Sequence, residues 1–214
     1  AAQVATELEG LLAGRQPEES RSPFRGLEPF TEADAADFHG RAADTDAIAE
    51  ALREEGLVAI VGPSGVGKSS FIQAGVLPRL REAGPHLALT FRPGRKPLTS
   101  LLAALQAQGL SLEGDPLRHA RTSPGFLVRA LTLLAALKQS RVVLVVDQFE
   151  EAITLGEPEE TQQLLDALSA ASVTDQAFRV LLAVRSDFLG NFVATSLEPS
   201  LRTLLVLRPL SQEA

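Results

Sequence analysis

Short apolar runs at 57–62, 87–91, 142–146, 180–184 and 203–207 punctuate the chain. They have the length of strands and little polar alternation, so both of their faces are expected to be covered. Between them, 41–55, 67–81, 98–108, 126–139, 159–171 and 187–196 place apolar residues at helical spacing, which predicts helices. A short helix headed by Thr31 is predicted over 30–38. Arg92-Pro93-Gly94 closes the second strand, and 113–116 reads as a loop followed by solvated Arg118, His119 and Arg121. Strands alternating with helices specify an α/β fold, a doubly wound parallel sheet with helices on both faces.

The first residues differ from this pattern. Val4, Leu8, Leu11 and Leu12 share one helical face, and 16–23 (QPEESRSP) is a polar, Pro-flanked linker. Residues 1–22 are therefore expected to be the tail of an upstream domain plus a linker, with 23–214 as one core. The chain contains no Met, so it is expected to be a fragment or a processed form.

Composition narrows the chemistry. Hydrophobic residues make up 45% of the chain, enough for a sizeable core and against global disorder. A net charge of −7 argues against a non-specific nucleic-acid surface. Without Cys there are no disulfides or thiolate metal sites, and His39, His86 and His119 lack metal-ligand spacing. No apolar run approaches a membrane span, and no signal peptide is visible, so no membrane association is expected and the location is expected to be cytoplasmic. Only Lys68, Lys96 and Lys138 among 20 basic residues are lysines, so a Lys at 68 departs from the habit of the chain.

That lysine lies in Gly62-Pro63-Ser64-Gly65-Val66-Gly67-Lys68-Ser69, which fits G-x-x-x-x-G-K-[ST] between a strand and a helix. Glycines allow a tight loop whose N–H groups face phosphate oxygens, and the helix N-terminus adds its dipole. Lys68 supplies a charge to the β and γ phosphates, and Ser69 a hydroxyl to Mg²⁺. Ser70 completes the expected cofactor-binding set. Asp147, at the end of an apolar run, is the expected metal-side acid, with a helix N-cap as the alternative. Glu150 is favoured as the base that orients the attacking water, with Glu151 in support; two acids in a first helical turn are the alternative. Arg185 ends another strand, where ligands of such sheets bind, and can report on the γ-phosphate; an ion pair with Asp187 or another surface acid is its alternative. Arg92, Arg95 and Lys96 follow another strand and read as a solvated basic turn, with contact to nucleotide or a partner as the alternative.

These blocks together resemble the STAND class of P-loop NTPases, and within it the bacterial novel STAND NTPase family. The resemblance rests on Pro23-Phe24-Arg25-Gly26-Leu27, Phe38-His39-Gly40-Arg41, GPSGVGKSSFIQAGVLPRL (62–80), Arg92-Pro93-Gly94, VVDQFEE (145–151) and VRSDFLG (184–190). It implies a five-stranded sheet in the order 5-1-4-3-2. Gly40 and Arg41 match the family's motif beside the adenine, and Arg185 its sensor arginine. His39 and Ala42 depart from the residues usual around that motif. The family continues into a helical lid and a winged-helix element beyond the point where this chain stops.

What the resemblance implies is an ATP/ADP-controlled switch of a multidomain signalling protein, with Mg²⁺ and slow hydrolysis. Self-association in the ATP state is part of that expectation. So are C-terminal repeat or sensor domains and an N-terminal effector outside this chain, with DNA binding and transcription regulation as one output. A nucleotide-binding oligomerisation scaffold without turnover and a P-loop kinase are the alternatives; the kinase would need an acceptor pocket and usually an Arg-rich lid, and the Gln148-Phe149-Glu150-Glu151 block and the absence of an obvious lid argue against it.

Overall fold

Residues Leu57–Gly62 form the first strand, β1, buried along its whole length, as an uninterrupted apolar run in a covered sheet must be. The computed structural model describes residues 29–112, 114–123, 125–173 and 177–210. The amphipathic stretch at 4–12 and the linker at 16–23 lie outside them. The other strands are β2 (His86–Phe91), β3 (Arg141–Val146), β4 (Phe178–Arg185) and β5 (Thr203–Val206). All pairs are parallel and the order is β2-β3-β4-β1-β5. This is the expected 5-1-4-3-2 sheet seen from its other edge.

A 3₁₀ turn (Glu32–Asp37) leads into α1 (Ala42–Glu54); the Thr31 N–H donates to Asp34 Oδ2 at 2.8 Å. The helix after β1, α2, starts as Lys68–Ser70, widens to a π-helical stretch over Phe71–Val76 and returns to α over Leu77–Glu82. Gly75 lies in the wide stretch, and a Cβ there would sit 3.1 Å from the Phe38 ring and 3.0 Å from Thr45 Oγ1. Next come α3 (Pro97–Ala107), α4 (Pro116–Thr122), α5 (Phe126–Lys138), α6 (Glu150–Thr154), α7 (Pro158–Val173) and α8 (Leu189–Val193).

Helix α4 stands where the sequence reads as a loop. Its start is ordinary: the Asp115 carboxylate accepts the Arg118 N–H at 3.1 Å, and Pro116 opens the helix where a missing N–H costs nothing. Arg121 is not simply solvated. Its Nη2 is 3.6 Å from the buried Glu160, whose carboxylate also accepts the Thr99 N–H at 3.1 Å and hydroxyl at 2.9 Å. A buried carboxylate needs such donors to offset its lost hydration.

The strand pleat divides the core. Val58, Ile60, Val143, Val145, Leu181 and Ala183 pack against α1 and α2. Leu57, Ala59, Val61, Leu144, Val146 and Val180 point the other way, into the larger cluster with α3, α5 and α7. At the start of β1 the backbones of β1 and α7 nearly touch. A Cβ on Gly56 would lie 2.2 Å from the Ser172 carbonyl oxygen, and backbone cannot rotate aside. Gly56→Ala is expected to destabilise the fold by ~1–3 kcal/mol, read as a lower urea midpoint at unchanged slope.

Candidate functional site

Strand register brings the site together. Gly62 pairs with Arg185, and Phe91 with Val146. Arg92 and Asp147 therefore leave adjacent strands side by side at the same carboxyl edge as the glycine loop. The Asp147 N–H donates to Phe91 O at 3.0 Å, and the Phe149 N–H to Ala183 O at 2.9 Å, so the turn after β3 is pinned on both flanks.

Gly65 (φ +76°) and Gly67 (φ +89°) adopt left-handed backbone, open to glycine without steric cost. They turn the loop Pro63–Val66 so that α2 begins at Lys68. Ser64 and Pro63 are exposed, and Val66 packs beneath: a Cβ on Gly62 would lie 2.9 Å from its Cγ1 and 2.8 Å from Leu207 O. Lys68 Nζ donates to Gly62 O at 2.8 Å and Pro63 O at 2.9 Å. Partial burial lowers the Lys68 pKa; Glu150 opposes the shift, Arg185 adds to it, and Asp147 and Asp187 oppose it.

Ser69 Oγ lies 3.0 Å from Asp147 Oδ1 and 3.1 Å from Oδ2. Asp147 is buried. A hydroxyl and a carboxylate converging at one point are hard oxygen donors, the chemistry that suits Mg²⁺. Among the described residues no group of three or more His or acidic side chains could hold a metal by itself. The pair thus fits a cation that takes its remaining ligands from phosphate and water. Arg92 also reaches Asp147, with Nε 3.3 Å and Nη2 3.2 Å from Oδ2.

Gln148 takes a left-handed backbone, φ +54°, uncommon outside glycine. The reversal drives Phe149 into the core, edge-to-face on Phe192 at 5.7 Å, and lets α6 begin at Glu150. Glu150 is buried and its Oε2 accepts the Arg185 backbone N–H at 3.2 Å. Glu151, next to it, is half-buried. Both acids do lie in the first turn of a helix, where the dipole favours them.

The Arg185 side chain forms the ion pair weighed as its alternative, Nε–Asp187 Oδ1 3.2 Å and Nη2–Oδ2 2.6 Å, with the guanidinium 5.2 Å from the Phe188 centroid. Loss of water pushes the Asp187 pKa up, but hydrogen bonds from Arg185 and its own backbone, with the charges of Arg185 and Lys68, hold it below the usual range. Both partners are exposed, so solvent screens the pair and it holds the guanidinium only weakly. A phosphate can compete for that guanidinium.

The remaining expected residues lie beside α2. Gly40 has φ +81° and packs under Leu210. Arg41 is buried; its Nη2 donates to Arg208 O at 2.6 Å, tying the segment before α1 to the segment after β5. Ser70 Oγ accepts the Phe30 N–H at 3.1 Å, so in this structure it anchors the incoming chain. A cavity of about 460 Å³ opens beside Gly40 and Arg41, lined also by Phe38, Gly75 and Arg79. A larger one, about 700 Å³, lies at the amino ends of the strands, between Leu80, His86, Val142 and Arg179. It touches none of the residues above.

A family model described as novel STAND NTPase 1 matches residues 23–214. The chain belongs to the novel STAND NTPase 1 family. No curated protein matches it. Among solved structures, this STAND chain is similar to a Walker-type ATPase of Pyrococcus abyssi at TM-score 0.60 and 16% identity, over 88% of this chain and 58% of that one. It is similar to an ORC1 protein of Aeropyrum pernix in complex with DNA at TM-score 0.55 and 20% identity, over 81% and 46%. A third similar chain is in a HORMA, CdnC and Trip13 complex of E. coli MS115-1, at TM-score 0.54 and 12% identity, over 87% and 69%. Likeness at these identities shows the fold alone, and the STAND chain spans only 58% and 46% of the first two structures. What the comparisons establish is a STAND-type P-loop NTPase domain. Among the described residues no helix is long and apolar enough to cross a membrane.

Proposed function

We propose that this domain binds ATP with Mg²⁺ at the carboxyl edge of its sheet and hydrolyses it slowly, as the switch of a multidomain cytoplasmic signalling protein. The observation that carries the reading is the contact of Ser69 Oγ with both Asp147 oxygens, at the start of a helix whose first residue is Lys68. Lys68 and the loop amides of Gly62 to Gly67 hold the phosphates. Ser69 and Asp147 hold the metal, which when bound neutralises charge on the phosphate oxygens. Glu150 orients the attacking water, and Glu151 supports it. Arg185 exchanges Asp187 for the γ-phosphate. Gly40 and Arg41 border the base, and Ser70 fixes the segment that covers it.

In this reading residues 23–214 are the NTPase core and 1–22 belong to a preceding unit. ATP favours an open form that self-associates and ADP a closed one; a C-terminal sensor and an N-terminal effector, DNA-binding if the whole protein regulates transcription, complete the switch. The family membership supports hydrolysis over transfer to a second substrate. Isothermal titration tests the reading. Mg-ATP is expected to bind the wild type, and Lys68→Ala to weaken it about tenfold to a hundredfold, the loss of a charge-assisted contact of ~1.5–3 kcal/mol. Equal affinity in the two proteins would sink the assignment.

A further inference from the structure

The Asp147 carboxylate carries two contacts on one oxygen: Ser69 Oγ at 3.1 Å and the Arg92 guanidinium at 3.2–3.3 Å. The partners are unlike in one respect. The Asp147 side chain is 9% exposed and that of Arg92 58%. The Arg92 backbone is nonetheless fixed. Phe91 O accepts the Asp147 N–H, Pro93 O accepts the Ser100 hydroxyl at 3.0 Å, and Gly94 turns the chain at φ +59°. Arg92 is therefore a solvent-facing cation on a rigid base, aimed at a buried acid.

We propose that Arg92 is a positioning residue that holds Asp147 against Ser69 before the metal binds and must leave the carboxylate when Mg²⁺ arrives. This inference rests on the nucleotide reading above. A buried carboxylate without a counter-charge is costly, and the guanidinium supplies one at the cost of a single flexible side chain. A divalent cation at the same oxygen and a guanidinium three ångströms away repel each other, so the two occupants exclude one another. The displaced guanidinium stays within side-chain reach of the phosphate loop, where its planar donors match phosphate oxygens. Arg92 thus sets the Mg²⁺ concentration at which the site loads and becomes a phosphate ligand afterwards.

The test is the affinity of the full chain for a fluorescent ADP analogue, measured in EDTA and then across a MgCl₂ titration, for wild type, Arg92→Ala and Arg92→Lys. Arg92→Ala is expected to lower the Mg²⁺ concentration for half-maximal effect about threefold to tenfold, and to weaken nucleotide binding at saturating Mg²⁺. Arg92→Lys, which keeps a charge without the fork, is expected to restore the wild-type Mg²⁺ dependence. If Arg92→Ala does not fold, as judged by circular dichroism, Arg92→Gln carries the same prediction. A Mg²⁺-dependent wild type with an unchanged or higher half-maximal concentration in Arg92→Ala, or in Arg92→Gln where that replaces it, overturns this inference alone. A wild-type affinity indifferent to Mg²⁺ also overturns this inference and leaves nucleotide binding standing, whereas no binding of the analogue by the wild type, in EDTA or at saturating Mg²⁺, overturns the nucleotide reading and the inference with it.

Discussion

Glu150→Gln is expected to slow single-turnover ATP hydrolysis by about 10²–10⁴-fold while leaving Mg-ATP affinity unchanged. The carboxamide has the same shape, and its oxygen can still accept the Arg185 N–H that Glu150 Oε2 accepts at 3.2 Å. What it lacks is the ability to take a proton from water. Glu151→Gln is expected to retain most of the rate, because adjacent residues on a helix point in different directions and Glu150 is the one buried against β4. Rates that are equal in wild type and both variants would remove the catalytic role and leave binding standing. The kinase alternative is separated by the same assay, since hydrolysis releases inorganic phosphate and transfer does not.

Phe149→Ala is expected to cost ~3–5 kcal/mol of stability, a large share of the ~5–15 kcal/mol available to a domain. The ring is fully buried against Phe192, between the turn after β3 and α8. The cavity cannot collapse easily, because the backbone on either side is hydrogen-bonded to Phe91 and Ala183. Urea unfolding should show the loss as a shifted midpoint. A shift below about 0.5 kcal/mol, the size of an ordinary surface substitution, would show that the Gln148 reversal is held by something other than the buried ring.

The strands and most helices were legible because an apolar run in a two-faced sheet has no polar interruption, and a helix on such a sheet needs one apolar stripe. The glycine loop was legible for a chemical reason: G-x-x-x-x-G-K-S between a strand and a helix joins inward-facing amides, a cation and a metal-binding hydroxyl in one short string. The strand order came from family likeness, since periodicity carries no information about neighbours. The short helix at Pro116–Thr122 was missed although Asp115-Pro116 is a readable start signal, because seven mixed residues show too little apolar period. Arg92 reads from the sequence as part of a solvated turn because its partner depends on register. Once Phe91 is known to face Val146, the next pair is Arg92 with Asp147, but one residue of slip would have turned the arginine away. The Arg185 ion pair with Asp187 was foreseeable from proximity alone, since an acid two residues on is within reach of a long arginine side chain; Asp187 lies in the 3₁₀ turn Ser186–Phe188 that follows β4.

The place of β1 in the sheet has a consequence for how the protein is made. Its neighbours are β4 and β5, which start at Phe178 and Thr203. As the chain leaves the ribosome, the strand that ends in the phosphate loop waits with both edges unpaired while β2 and β3 are made, and these two can already join each other. Such long-range parallel pairing is slow, and exposed apolar strands are prone to aggregate. The nucleotide loop is thus written early and shaped last. Binding competence should emerge only with the final strands of the sheet, and a nascent chain halted before Phe178 should have nothing that recognises a phosphate.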